Sequence, residues 1–434
     1  MSSKKTAVAP NQGALRDVPF MGVIFVVHEA SKLGFVNGAA DWSNLGQGQP
    51  EVGPMDGAPP RISQVEIRPE DHAYGPLGGT LELRTQIAAH YNRLYRRGKR
   101  TKYSAANVCV AQGGRLALTR AMAALGDVQV GYQLPDYTAY EDMLGLHLSR
   151  VTPIPIRARA EDGFLVPVER LAHDIEQLGL GALVLSNPCN PTGNVIQGKQ
   201  LAALVALSRE RGVTLLLDEF YSHFIYTPDG KPGAGPVSAA PFIDDVERDA
   251  VILIDGLTKS YRYPGWRIGW AIGPSHMMET LARTASSIDG GPSRIAQRAA
   301  LAALQPEQAD QETHALRIGF AKKRNVMVAR LKAMGITFER EPEGTFYCWC
   351  SLAELKPPFN DALTFFRRAL EHKVLTVPGE FFDVNPGKRR RGQSPYHANM
   401  RFSFGPPMDN MVAGLDRLER MLTQARRPQK LRSK

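Results

Sequence analysis

Between about residues 105 and 275, short apolar runs alternate with longer stretches whose apolar positions recur at helical spacing. Runs of four to seven apolar residues with no polar alternation, bounded by turn formers, fit strands buried on both faces. Seven such strands are predicted, at 108–111, 128–134, 151–156, 182–186, 213–218, 251–255 and 268–272. Strands separated by amphipathic helices make an α/β fold, here a three-layer αβα large domain around a seven-stranded, mainly parallel sheet. In open sheets of this kind ligands bind beyond the carboxyl ends of the strands, so the residues that follow those ends are the first place to look for chemistry.

Outside this region the pattern changes. Residues 1–17 are polar without periodicity and predict a flexible arm, 20–35 predict a helix with an apolar stripe, and 46–60 are rich in Gly and Pro. A composition change at 305–311 precedes a helix expected over 314–334, a strand over 345–350 and a helix over 361–373. The division that follows has a large domain over 75–310, a smaller α+β domain from 18–74 with 311–425, and a basic tail at 426–434.

The 434 residues, 43% of them hydrophobic, exceed one compact domain and can bury a sizeable core. No apolar run approaches the roughly 20 residues that span a bilayer, and Met-Ser-Ser-Lys-Lys-Thr lacks a signal's apolar stretch, so the reading is a soluble cytoplasmic enzyme without membrane contact. Cys109, Cys189, Cys348 and Cys350 have neither disulfide-framework nor metal-ligand spacing, so no metal is expected. The net charge of +10 concentrates at 96–102, 388–391 and from 426 onward. None of these clusters interleaves aromatics as a base-stacking surface does, so they read as solvated basic faces and no nucleic acid is expected.

Candidate chemistry gathers where strands end. In Asp255-Gly256-Leu257-Thr258-Lys259-Ser260-Tyr261-Arg262-Tyr263-Pro264-Gly265-Trp266-Arg267, a lysine lies eight places before an arginine. That pairing suits a phosphorylated aldehyde, with the amine forming a Schiff base and the guanidinium gripping phosphate. Asp218 ends a predicted strand, where it can keep a pyridine nitrogen protonated or simply cap a helix. Tyr221 and Asn190, the latter in Ser186-Asn187-Pro188-Cys189-Asn190-Pro191-Thr192-Gly193, can both reach a phenolic oxygen. Gly113 and Gly114, between a strand and a helix expected over 116–125, offer backbone N–H groups to phosphate. Tyr137 can stack on a pyridine ring, with Tyr140 as the competing candidate. Arg401 lies among apolar neighbours and needs an anion, either an internal carboxylate or a substrate α-carboxylate.

With these residues assembled, the chain resembles the fold-type I pyridoxal-phosphate enzymes, and within them the class I/II aminotransferases related to aspartate aminotransferase. The likeness runs from Leu45-Gly46-Gln47-Gly48-Gln49-Pro50 to Arg401. It implies pyridoxal 5'-phosphate as cofactor, Lys259 as its Schiff-base lysine, Asp218 at the ring nitrogen, and Asn190 and Tyr221 at the phenolic oxygen. Arg267 with Gly113 and Gly114 would bind phosphate, and Arg401, assisted by Gly48 and Asn190, the substrate carboxylate. Tyr74, in a run that also matches the family, implies a homodimer whose subunits share their active sites. One departure stands out, because Gly256 occupies a position where the family usually carries a Ser or Thr phosphate ligand. Thr258 or a backbone group is the expected substitute.

The activity implied is amino-group transfer between an α-amino acid and a 2-oxo acid by a ping-pong route, with Lys259 moving the α-proton. The same residue set also supports a lyase, a synthase or an amino-acid oxidase, and the fold does not choose. Side-chain selectivity is expected from residues 20–35, which include His28, from 286–294, from the 385–399 segment and from the partner subunit. Arg262 and Arg294 read as structural or surface residues before they read as acid binders.

Overall fold

The structure is a computed structural model that describes Ala14, Phe20 and residues 22–426. The predicted arm at 1–17 and the basic tail at 426–434 lie outside the described residues, apart from Ala14 and the backbone of Arg426.

Among the described residues twelve strands are formed, in chain order: β1 (Ser43–Asn44), β2 (Val108–Ala111), β3 (Val128–Leu134), β4 (Val151–Arg157), β5 (Ala182–Ser186), β6 (Thr214–Asp218), β7 (Val251–Gly256), β8 (Gly269–Ile272), β9 (Tyr347–Ser351), β10 (Val374–Leu375), β11 (Val377–Pro378) and β12 (Asn399–Ser403). All seven predicted strands are present, and they form one sheet in the order β2-β8-β7-β6-β5-β3-β4. Neighbours from β7 across to β4 pair in parallel, while β8 runs antiparallel to both β7 and β2. The reversal has a local cause. Residues 257–268, between β7 and β8, hold only turns and a short 3-10 element, with no crossover helix to bring the chain back in parallel.

Leu215, Leu216 and Leu217 are all essentially inaccessible although successive side chains point to opposite faces, so both faces of the sheet are covered. The helices Gly114–Ala124 and Gly198–Arg211 supply part of that cover, against β2, β7 and β8 and against β6 respectively. The ends of β2, β5, β6 and β7 therefore open on one edge of the sheet. The turn at 113–114, the loop holding Asn190, the stretch Asp218 to Tyr221 and the turn carrying Lys259 follow those ends directly.

A second, three-stranded antiparallel sheet has the order β11-β12-β9, and β1 pairs in parallel with β10, joining an N-terminal segment to C-terminal chain. The predicted helix at 314–334 begins earlier, as Pro306–Ala333. Pro306 at its first position costs no hydrogen bond, so the 305–311 stretch read as a boundary is helical from 306 onward. The helix expected over 20–35 is the shorter Gly22–Ser31. The strand expected from 345 starts at Tyr347, with Thr345 in a left-handed conformation (φ 63°) that ladder pairing does not accommodate. Ala362–Glu371 is capped by Asp361, whose side chain accepts from Thr364 N, and stops short of Lys373, also left-handed (φ 59°).

Candidate active site

At the carboxyl edge of the large sheet lies a cavity of about 520 Å³. Its lining includes Lys259, Asp218, Tyr221, Asn190, Gly114, Tyr137, Arg267, Arg401 and Gly48, drawn from stretches scattered over some 350 residues of chain. Gly113 adjoins this wall, while Tyr74 lies outside it and is completely exposed.

Asp218 is buried at the floor, where its carboxylate accepts from Tyr140 Oη at 3.2 Å and Phe220 N at 3.3 Å. Burial raises its pKa to about 6 against the opposing pull of those donors and of Lys259. Tyr140, weighed above as a stacking ring, is thus committed beneath Asp218, and Tyr137 keeps its ring at the cavity wall. Tyr221 Oη shares a 3.0 Å hydrogen bond with Tyr347 Oη, and burial pushes its pKa well up, so it remains a donor.

Lys259 keeps part of its surface open to the cavity, yet protein surrounds its amine, which donates to the Gly48 carbonyl. Burial, helped by the Arg401 charge, lowers its pKa to about 7, with Asp218 opposing. A neutral lysine amine is consequently available near neutral pH.

Arg401 lies in the middle strand β12 and is almost fully buried. Its Nη1 donates to Asn190 Oδ1 at 2.9 Å and its Nη2 to the Gly46 carbonyl at 2.9 Å, while Nε has no partner. The rings of Tyr347 and Phe382 lie 4.0 and 5.0 Å from the guanidinium. Since an arginine only donates, Asn190 must present its oxygen to it, leaving Nδ2 to donate elsewhere. The backbone group that meets Arg401 is Gly46 O, whereas the Gly48 carbonyl meets Lys259.

One end of the cavity is built around Arg267, itself left-handed (φ 55°) and anchored by Nη1 to Pro264 O at 2.9 Å. Gly113 has φ 85°, and a Cβ there would collide with the Arg267 guanidinium, so the turn packs against the cation only as glycine. A side chain at Gly256 would place its Cβ 2.6 Å from Ile268 O, so the usual hydroxyl has no room. Thr258 Oγ1, two residues on, is buried without a hydrogen-bond partner beside the cavity. An orphaned hydroxyl, a guanidinium and a helix N-terminus at one end, with a buried carboxylate on the floor, form a donor and acceptor set that fits a phosphorylated pyridine aldehyde.

Some lining residues were not singled out from sequence. Arg115 donates to Tyr137 Oη at 3.1 Å and pairs with no carboxylate among the described residues. Phe20, Val23, Ile24 and Leu118 form an apolar wall, and only the helical stripe within 20–35 signalled part of it. His28 instead packs against Phe20, their tilted rings 4.4 Å apart, and Arg294 pairs with Asp71 at 3.6 Å. The 385–399 segment braces the Tyr140–Gly145 helix, with Asn385 N donating to Glu141 at 2.8 Å. All four cysteines are buried and unpaired.

The family model described as "Aminotransferase class I and II" matches residues 40–418. The chain is 29% identical over 392 residues to an aspartate aminotransferase of Streptomyces avermitilis, covering 88% of this chain and 89% of that one. It is 28% identical over 391 residues to an aspartate aminotransferase of Bacillus subtilis, with 88% and 91% covered. Among solved structures, an aspartate aminotransferase from Thermus thermophilus with maleate superposes with a TM-score of 0.75 at 24% identity, over 94% of this chain and 100% of that one. An aminotransferase from Mycobacterium tuberculosis superposes with a TM-score of 0.76 at 24% identity, over 96% and 100%. At that identity the structural likeness speaks for the fold.

Proposed function

The chain belongs to the class I and II aminotransferases, and on that premise we propose that its cavity holds pyridoxal 5'-phosphate, carried by Lys259. It is a transaminase, moving an amino group between an amino acid and a 2-oxo acid, and its relatives do not favour the lyase, synthase or oxidase alternative. The observation that carries the residue assignment is the convergence of Lys259, Asp218, Asn190, Tyr221, Arg267 and Arg401 on one cavity from three loops and two strands.

When bound, the cofactor supplies an aldehyde that condenses with amines and a protonated ring that draws electron density from the carbon losing a proton. Asp218 holds the ring-nitrogen proton, its burial making the charged pair strong. Tyr221 Oη and Asn190 Nδ2 donate to the phenolic oxygen. Arg267, Thr258 Oγ1 and the N–H groups at 113–114 hold the phosphate. Arg401 binds the substrate α-carboxylate, which supplies the anion its buried charge lacks. Lys259 Nζ, whose pKa of about 7 leaves a substantial share of it neutral near pH 7, takes the substrate α-proton and returns it to the opposite end of the reacting system. The two half-reactions share these groups, which gives ping-pong kinetics.

A donor with an acidic side chain would meet Arg115, and one with an apolar side chain the wall of Phe20, Val23, Ile24 and Leu118. Because its relatives are named aspartate aminotransferases, aspartate heads the donor panel. We also propose a homodimer in which Tyr74, exposed in the single chain, reaches the partner's phosphate site. Residues 75–310 would form the cofactor-binding domain and 18–74 with 311–425 the smaller one. The test is an initial-rate assay over amino donors with a 2-oxo acid acceptor. Parallel double-reciprocal lines support the reading, and absence of turnover with every donor opposes it.

A further inference from the structure

Arg262 is three residues beyond Lys259, completely buried, and left-handed at φ 56°, a backbone that residues other than glycine adopt only at a cost. Its amide donates to Lys259 O at 3.1 Å, closing the turn that carries the lysine. From that turn its side chain reaches away in two directions. Nε donates to the buried Glu312 at 2.5 Å, and Nη1 donates to Gly53 O at 2.8 Å and Glu51 O at 3.3 Å. Arg61 braces the same point, donating to Arg262 O at 2.7 Å and pairing with Glu312 at 3.2 Å.

Residues 46–53, held at their far end by Arg262, also carry Gly48, whose carbonyl accepts from Lys259 Nζ. The contacts form a closed circuit from the lysine amine to Gly48, along the chain to Gly53, across Arg262 and back to the lysine's own turn. Other anchors of this segment, Arg401 Nη2 to Gly46 O at 2.9 Å, Glu51 N to Gly405 O at 2.8 Å and Glu51 to Lys323 at 2.5 Å, lie on the Arg401 side. Besides the Lys259 amine, Arg262 is thus a second side-chain link from the Lys259 turn to this segment. We propose that Arg262, supported by Glu312, is a positioning residue that fixes the Gly48 carbonyl against the Lys259 amine and so aims that amine for proton transfer. The inference rests on the transaminase reading for its kinetic consequence but on geometry alone for the contact.

The test uses the full-length protein and two variants. Arg262→Lys keeps a charge opposite Glu312, but one ammonium lacks the fork that spans both Glu312 and Gly53 O. Arg262→Met with Glu312→Gln removes both fully buried charges together, and the partly exposed Arg61 keeps its hydrogen bonds to the carbonyls of Tyr261 and Arg262. The pH dependence of Lys259 acylation, measured by mass spectrometry after cofactor removal, should shift its midpoint down by about 0.5 units or more in both, because the ammonium loses its acceptor. In the cofactor-loaded protein, kcat should fall about tenfold with a larger α-deuterium isotope effect, while donor KM stays within about threefold. A folded variant with unchanged midpoint and isotope effect overturns the proposal. So does Arg262→Lys restoring kcat, midpoint and thermal stability together, the pattern of an ion pair that only supports the fold. If the parent shows no turnover, the transaminase reading fails and the acylation midpoint still decides the role of Arg262.

Discussion

The Arg401 guanidinium donates to Asn190 Oδ1 at 2.9 Å across 211 residues of sequence, and no carboxylate pairs with that arginine among the described residues. A strand of the three-stranded sheet is thereby tied to the loop that follows β5 of the large sheet. A buried cation held by an amide oxygen, a backbone carbonyl and aromatic faces still needs an anion. Arg401→Lys keeps the charge and loses the fork, so donor KM should rise about 10- to 100-fold with a smaller change in kcat. Initial rates over donor concentration check this, and an unchanged KM removes Arg401 from carboxylate binding.

Asp218 gives a pH-dependent stability signature before any cofactor is added. Its folded pKa of about 6 lies above the unfolded value of 3.8, so the folded state binds the proton more tightly. The stability this provides is complete below the unfolded value and lost as pH rises through about 6. Relative to the parent, cofactor-free Asp218→Asn should gain about 2 kcal/mol in denaturant unfolding between pH 4 and pH 7. In the loaded protein the same substitution should depress kcat severely, because the ring-nitrogen proton loses its counter-charge.

The end of the cavity proposed to hold phosphate separates two neighbouring positions. Thr258→Val removes an orphaned hydroxyl at nearly constant volume and should weaken cofactor binding about tenfold by equilibrium dialysis, with little change in thermal stability. Gly256→Ser, which restores the usual family hydroxyl, should instead destabilise by about 1 to 3 kcal/mol, because its Cβ meets the Ile268 carbonyl. Tighter cofactor binding by Gly256→Ser would contradict this account.

Shared active sites can be read by complementation. Tyr74→Ala and Lys259→Ala subunits, each inactive or nearly so, should recover about a quarter of parental activity when unfolded together, mixed equally and refolded. Recovery requires Tyr74 and Lys259 to serve one site from different chains. No recovery despite confirmed mixed dimers places Tyr74 outside the site.

The large sheet was legible because strands such as β5 and β6, buried on both faces, are nearly uninterrupted apolar runs. Pro306 was misjudged as lying in a boundary because a proline that starts a helix looks like one that separates elements. Lys259, Asp218 and Asn190 stand out in the sequence because they follow strand ends, and Arg267 by its spacing from Lys259, whereas Tyr347, Gly46 and Arg115 act through contacts between distant segments that no local pattern records. Gly256 was visible as a departure, but the reason for it, the close approach of Ile268 O, exists only after β7 and β8 pair.

The most direct test of the central claim is a single-turnover experiment. Cofactor-loaded protein is mixed with an excess of a competent amino acid and no 2-oxo acid acceptor, and 2-oxo acid and ammonia are both quantified. The account predicts about one 2-oxo acid per subunit, no ammonia, arrest until an acceptor is added, and essentially no product from Lys259→Ala. Continuous release of ammonia without acceptor, or an undiminished burst from Lys259→Ala, would contradict it.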